Sequence, residues 1–168
     1  MEKEVIAAIE KQATQELFAA QTYLALAYWS DVRQYSGFAS FFHMQVQEER
    51  GHADKFLKFL ADRDIVPALG TIEAPKNAYA NLMEAAKSVY DLERANTAGI
   101  NAAYEAAVRA KDYASQVMLH WFINEQVEEE AWSDKLLVKV QEATCPGAMQ
   151  MLDHHIVKEL RAKSRTEP

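Results

Sequence analysis

The stretch QEERGHADKF, residues 47–56, interrupts what is otherwise the apolar side of a long helical pattern. Before it the pattern steps through Phe38 and Phe42, and after it through Phe56 and Phe59, at the alternating spacings of three and four that mark a buried helix face. The same steps put Gln45, Glu49 and His52 on that face. A helix packed into a core wants leucine at such positions, yet a glutamate and a histidine three residues apart stand there.

Working outward, three more segments break their stripes in the same way. From about Lys3 to Asp31 the series is Ile9, Ala13, Glu16, Ala20, Tyr23, Ala27. From Tyr79 to Ala110 it is Leu82, Ala86, Val89, Glu93, Asn96, Ile100. From Tyr113 to about Ala143 it is Met118, Phe122, Glu125, Glu129, Trp132, Leu136, with Gln126 three residues before Glu129. Every break falls near mid-helix, so antiparallel packing brings the breaks to comparable heights.

The punctuation between the segments sets the topology. RQYSG, residues 33–37, separates the first two helices with Ser36 as the expected N-cap, and Asp112 is placed to cap the fourth. Such short breaks give antiparallel hairpins. Residues 64–77, with Pro67, Gly70 and Pro75, have no periodicity and are too long for a bundle turn. Extended, about fourteen residues reach ~45 Å, and a helix of about 26 residues is ~39 Å long, so this segment can run the length of the bundle. After CPG at 145–147 a short fifth helix is expected over 148–163. The fold class is therefore all-α: two hairpins joined by one long crossover between helices two and three, with residues 1–145 forming the four-helix bundle and 146–168 a short C-terminal helix and tail of the same domain.

Composition agrees and narrows the partners. Among 168 residues, 49% apolar with only 5 Gly and 4 Pro favours long regular segments, and a formal charge of −7 leaves no basic surface for nucleic acid or anionic membrane. Cations are better candidates. The lone Cys145 excludes an internal disulfide and any CxxC metal pair. The amphipathic N-terminus MEKEVIAAIEKQ is unlike a signal peptide, and no apolar run reaches the ~18 residues of a membrane span. A soluble cytoplasmic protein is expected.

One ionised carboxylate isolated in an apolar core costs more than the ~5–15 kcal/mol net stability of a domain, so several converging there need compensation. Bound cations supply it. Glu49 and His52 share one face and can reach one ion, and the second oxygen of a carboxylate can bridge to another, which predicts a two-metal site. Carboxylates with one imidazole suit iron or manganese, and redox chemistry and cellular supply favour iron. Tyr23, on the face of Glu16, could hydrogen-bond a ligand or give an electron to an oxidised centre, or be a plain buried aromatic. Glu48, Glu125 and Glu128 flank the stripes as either a third, more exposed iron site or a solvated acidic face. His43, His120, His154 and His155 read as surface or packing residues.

Glu16 with Tyr23, EERGHAD at 48–54, DLERANT at 91–97 and WFINEQVEEE at 121–130 together make the chain resemble the bacterial non-haem ferritins over essentially its whole length. That resemblance implies a shell of twenty-four subunits that oxidises Fe(II), with O2 or H2O2, at a di-iron ferroxidase centre and stores ferric mineral. It further implies one iron held by Glu16, Glu49 and His52, and a second by Glu49 as bridge, Glu93 and Glu129, with Gln126 adjacent. Glu48, Glu125 and Glu128 match the extra bacterial iron site. Haem-binding bacterioferritins carry a second Glu-x-x-His and a haem-ligating methionine where this chain has Gln126-x-x-Glu129 and Arg50, so no haem is expected. The acids that line the three-fold channels of animal ferritins are replaced by Gln116 and Leu119. Mini-ferritins place metals between subunits and lack a fifth helix, and rubrerythrins need cysteines absent here. The competing reading is a di-iron oxidase or peroxidase without storage, and a third is an interaction bundle whose acids only solvate its faces.

Overall fold

The structure, a computed structural model, describes residues 1–160. These form five helices and no strand: α1 Lys3–Val32, α2 Ser36–Ala61, α3 Leu82–Arg109, α4 Tyr113–Glu142 and α5 Pro146–Leu160. The expected bundle with one long crossover and a short fifth helix is the fold found. The expected helical residues 161–163 and the tail after them lie outside the described residues.

Each hairpin reverses through a three-residue link. After α1, Gln34 takes the left-handed conformation (φ 64°) and Tyr35 N donates to Ser30 O at 3.0 Å. After α3, Lys111 does the same (φ 53°), with Asp112 N donating to Ala107 O at 2.9 Å. A left-handed residue with a six-to-one hydrogen bond turns the chain sharply while satisfying a terminal carbonyl.

The caps correct one expectation and support another. Asp112 caps α4 by accepting from Ser115 N at 3.1 Å. Ser36 caps nothing: it is already the first residue of α2, and Tyr35 holds the N-cap position without a side-chain bond. The acceptor comes from α5, where Asp153 Oδ1 takes the N–H of Phe38 at 2.9 Å. Gly37 makes that approach possible, since a Cβ on it would lie 1.7 Å from the Asp153 carbonyl oxygen.

The third helix starts three residues later than expected, at Leu82. Asn81 accepts from Glu84 N at 2.9 Å, and Glu84 Oε2 accepts from Ala80 N at 2.6 Å, a reciprocal cap that fixes the boundary. Tyr79 instead ends the crossover, buried, with its carbonyl accepting from Trp29 Nε1 at 3.1 Å. The other end of the crossover is tied where Ala68 N donates to Glu10 Oε1 at 2.7 Å. Glu10 to Trp29 is ~28 Å of helix, so the crossover travels along α1.

The interior has two apolar clusters. One surrounds Leu26, Phe38, Phe42, Val89, Leu136 and Ile156, and the other surrounds Ile9, Phe56, Leu60, Ile100, Leu119 and Phe122. Between them, at mid-height on all four long helices, lie the buried polar side chains Glu16, Glu49, His52, Glu93, Asn96, Gln126 and Glu129.

One register differs from expectation. In α4 the buried line is Leu119, Phe122, Gln126, Glu129, Ser133, Leu136, whereas Met118, Glu125 and Trp132 are only partly buried. Both lines step by three and four, and a straight helix at 3.6 residues per turn drifts off a seven-residue repeat, so the packed face rotates by one residue.

Candidate metal centre

The centre is built by four helix faces that each keep apolar contact above and below and turn a polar side chain inward between. Glu16 is 1% exposed, Glu49 1%, Glu93 0%, Glu129 3% and His52 4%, so water can solvate none of them well. Among the described residues, ligand atoms of Glu16, Glu49 and His52 lie within 4.8 Å of one another, and those of Glu49, Glu93 and Glu129 do the same. Glu49 belongs to both groups. Two cations side by side, sharing one carboxylate, fit that arrangement.

Hydrogen bonds hold both oxygens of Glu93 and one oxygen each of Glu16 and Glu129. Gln12 Nε2 donates to Glu16 Oε1 at 2.7 Å, Asn96 Nδ2 to Glu93 Oε2 at 3.2 Å, the Tyr23 phenol to Glu93 Oε1, and the Trp132 indole N–H to Glu129 Oε2. His52 Nδ1 sits 3.2 Å from Glu49 Oε2. Glu16 Oε2 and Glu49 Oε1, by contrast, are buried with no hydrogen-bond partner. Buried carboxylate oxygens left unmatched are expensive unless a cation meets them. The donor set, hard oxygens with one imidazole and no sulfur, suits iron or manganese.

Electrostatics says the same. Burial, then repulsion from Glu93 and Glu16, raises the Glu49 carboxyl well above its ordinary range, and burial with Glu93 and Glu48 does so for Glu129. Burial raises Glu16 as well, and it lifts Glu93 to about 7 against the pull of the Tyr23 hydrogen bond. Burial lowers His52 to about 4, with Lys55 adding to it, so the imidazole is neutral at pH 7 and keeps a lone pair for a metal. Burial, then Glu93, raises the Tyr23 phenol well above 10, so it is a donor and not a phenolate.

The remaining expected residues fall as follows. Gln126 is buried, and its Nε2 donates to Glu93 O and Thr97 Oγ1, both at 3.1 Å. Glu48 and Glu125 come together with His52 as a third group of ligand atoms within 4.8 Å, partly exposed. Glu128 is exposed and is not in that group. His43, His120, His154 and His155 are all exposed. Leu119 is fully buried and Gln116 donates to Ala107 O at 3.2 Å, so neither position offers a carboxylate to a channel.

Three side chains were not singled out from the sequence. Gln12 and Gln15 lie off the α1 stripe, yet Gln12 holds Glu16 and Gln15 Nε2 donates to Asn96 Oδ1 at 3.0 Å. Trp132 reads as an apolar stripe residue, but its indole N–H is spent on Glu129. The available signal was Gly99 in mid-helix, whose added Cβ would lie 1.9 Å from Gln12 Oε1.

A four-helix bundle with one long crossover and a buried centre of four glutamates and one histidine is a ferritin-like arrangement, in which such side chains project inward from facing helices. The family model described as Ferritin-like domain matches residues 6–143, and the chain belongs to that family. It is 40% identical over 131 residues to the bacterial non-heme ferritin of Staphylococcus epidermidis strain RP62A, covering 78% of this chain and 79% of that one. It is 37% identical, with the same coverage, to the bacterial non-heme ferritin of Staphylococcus aureus strain MRSA252. Among solved structures, an open-pore ferritin from the hyperthermophilic archaeon Archaeoglobus fulgidus superposes with a TM-score of 0.89 at 30% identity, over 95% of this chain and 97% of that chain. Apo-ferritin from Pseudo-nitzschia multiseries gives 0.88 at 31% identity, over 91% and 98%.

Proposed function

We propose that this chain is a ferroxidase and iron-storage subunit. Its substrate is Fe(II), which two ligand groups sharing Glu49 bind as a pair. The observation that carries the reading is that sharing, together with the two unmatched buried oxygens on Glu16 and Glu49. One Fe(II) takes Glu16, Glu49 and His52, and the second takes Glu49, Glu93 and Glu129, with Gln126 beside it.

Binding displaces protons from carboxyls whose affinity for them burial has raised, and it relieves their mutual repulsion. Each Fe(II) then gives up one electron. O2 accepts the pair with two protons and leaves as hydrogen peroxide, or H2O2 accepts the pair with two protons and leaves as two waters. The chain fixes the distance between the ions, keeps bulk water out with the apolar clusters on either side, and holds the ligands through Gln12, Asn96, Tyr23 and Trp132. Fe(III) moves on, by way of the Glu48, His52, Glu125 group with Glu128 beyond it, to nucleate mineral inside a shell of twenty-four copies. No haem takes part, and the setting is the cytoplasm. Among the described residues no helix is long and apolar enough to cross a membrane.

Anaerobic Fe(II) titration followed by mixing with air tests this. The expected result is two tight sites per chain and a fast oxidation phase whose amplitude saturates at that ratio. A chain with neither is not a ferroxidase.

A further inference from the structure

We infer that the centre is supplied from two opposite sides, and that its small uncharged oxidant arrives through a groove between α1, α3 and the crossover. This rests on the ferroxidase reading. The groove, about 870 Å³, lies on the outer side of α1 and α3 and reaches down to Gln12 and Gln15.

Its shape follows from small residues opposite a roof. On α3, Ala95, Ala98 and Gly99 line one wall, and Leu69, Gly70 and Ile72 of the crossover close over the top. The roof is held down, since Ala68 N is tied to Glu10 and a Cβ on Gly70 would lie 2.9 Å from Thr14 Oγ1. Gly99 is the notch that admits the Gln12 amide, where any larger residue would collide with Oε1.

The floor leads directly to the ligands of both ions. Gln12, 2% exposed, donates to Glu16 Oε1 at 2.7 Å. Gln15 donates to Asn96 Oδ1 at 3.0 Å, and Asn96 donates to Glu93 Oε2 at 3.2 Å. One amide, Gln12, therefore separates the groove from Glu16 of the first ligand group, and two, Gln15 and Asn96, separate it from Glu93 of the second.

Charge decides what passes. The floor carries amides and the walls alkyl groups, while Glu10, Lys11 and Glu73 are the charged residues of the lining. A hydrated dication would have to shed water against neutral amides, at a cost those amides do not repay. Dioxygen fits apolar walls, and hydrogen peroxide can exchange hydrogen bonds with a glutamine amide as Gln12 swings aside. Cations have the other side: Glu48, His52 and Glu125 gather on the α2–α4 face, and carboxylates with an imidazole can replace lost water.

Ala95→Leu and Ala98→Leu, each read in the assembled protein, fill the groove without touching a ligand. The expected result in either variant is a several-fold rise in the KM for oxidant, with anaerobic Fe(II) affinity and stoichiometry unchanged. Separate runs with O2 and with H2O2 show which of the two uses the groove. Glu48→Gln with Glu125→Gln should do the converse, slowing Fe(II) arrival at constant oxidant KM. A folded Ala95→Leu or Ala98→Leu chain with unchanged KM for both oxidants, or with slowed anaerobic Fe(II) binding, overturns the proposal. Xenon pressed into crystals of the metal-free protein reads the groove without iron chemistry, and no xenon above Gln12 also overturns it, even where fast oxidation stands. A wild-type chain that oxidises Fe(II) no faster than buffer removes the ferroxidase reading, and the oxidant's role with it, whatever xenon shows.

Discussion

The Tyr23 phenol, in α1, donates its hydrogen bond to Glu93 Oε1 in α3, seventy residues away, with both side chains fully buried. The bond joins the two hairpins at the metal centre and favours the ionised form of Glu93. Tyr23→Phe removes it while keeping the ring. Hydrogen bonds to charged groups contribute roughly 1.5–3 kcal/mol, so Fe(II) binding at the Glu93 position should weaken by about tenfold or more near pH 6.5. The loss should shrink as pH rises and Glu93 ionises unaided. Anaerobic titrations at two pH values check this, and equal affinity ratios at both would contradict it.

Glu49 contributes to function at the expense of the metal-free fold. Burial and the neighbouring Glu93 and Glu16 make its charge costly. Glu49→Gln keeps the volume and removes the charge, so the metal-free protein should gain about 1–3 kcal/mol of stability. The same variant should lose paired Fe(II) binding and the fast oxidation phase. Thermal melting and stopped-flow oxidation together read both effects, and a variant that oxidises normally would remove Glu49 from its bridging role.

Without metal, the protein loses stability as pH rises through neutrality. Glu93 goes from 4.5 to about 7 on folding, so between those values the folded state binds a proton that the unfolded state does not. Its contribution therefore falls as pH rises through that window, and Glu49 and Glu129, raised as well by burial, act in the same direction. His52 runs the other way: lowered from 6.5 to about 4, it costs stability as pH falls through that range and contributes no slope above it. Above pH 6.5 only the carboxyls act, so the melting temperature should drop from pH 6.5 to pH 8 without metal. Fe(II) added anaerobically should reverse the drop.

Asp153 and Gly37 hold the last helix to the bundle. Asp153→Ala removes the cap on α2 and should cost about 1 kcal/mol. Gly37→Ala drives a methyl into the Asp153 carbonyl, 1.7 Å from its ideal position, and should cost about 1–3 kcal/mol. Hydrogen exchange should show faster opening of α5 in both variants, with the centre of α1 unchanged.

Much of this was readable in residue spacing. Glu16, Glu49, His52, Glu93 and Glu129 were found because each breaks a stripe that extends on both sides, and a buried carboxylate has few reasons to exist. The register of α4 was not readable, because Met118 and Leu119, Glu125 and Gln126, and Trp132 and Ser133 are neighbours that satisfy the same three-and-four rule. Only packing against α2, α3 and α5 chooses between them. Ser36 has the local look of a cap for a related reason: the acceptor is Asp153, 115 residues from Phe38, and local signals cannot report a distant acceptor. The start of α3 was locally encoded in NLME, residues 81–84, as a reciprocal cap, but the apolar Tyr79 extended the stripe past it. Gln12 and Gln15 stayed hidden because a glutamine on a helix flank is ordinarily solvated, and only Gly99 across the groove shows that one of them is enclosed.

Iron oxidised at this centre should pass into storage within the assembled protein. Size exclusion after adding a few hundred Fe(II) per chain in air, with protein and iron recorded together, tests this most directly. The expected result is iron co-eluting with a very large particle in the wild type, and slow, largely precipitated iron with Glu49→Ala. A small oligomer that keeps about two irons per chain while the rest precipitates would contradict storage and make this a di-iron oxidase instead.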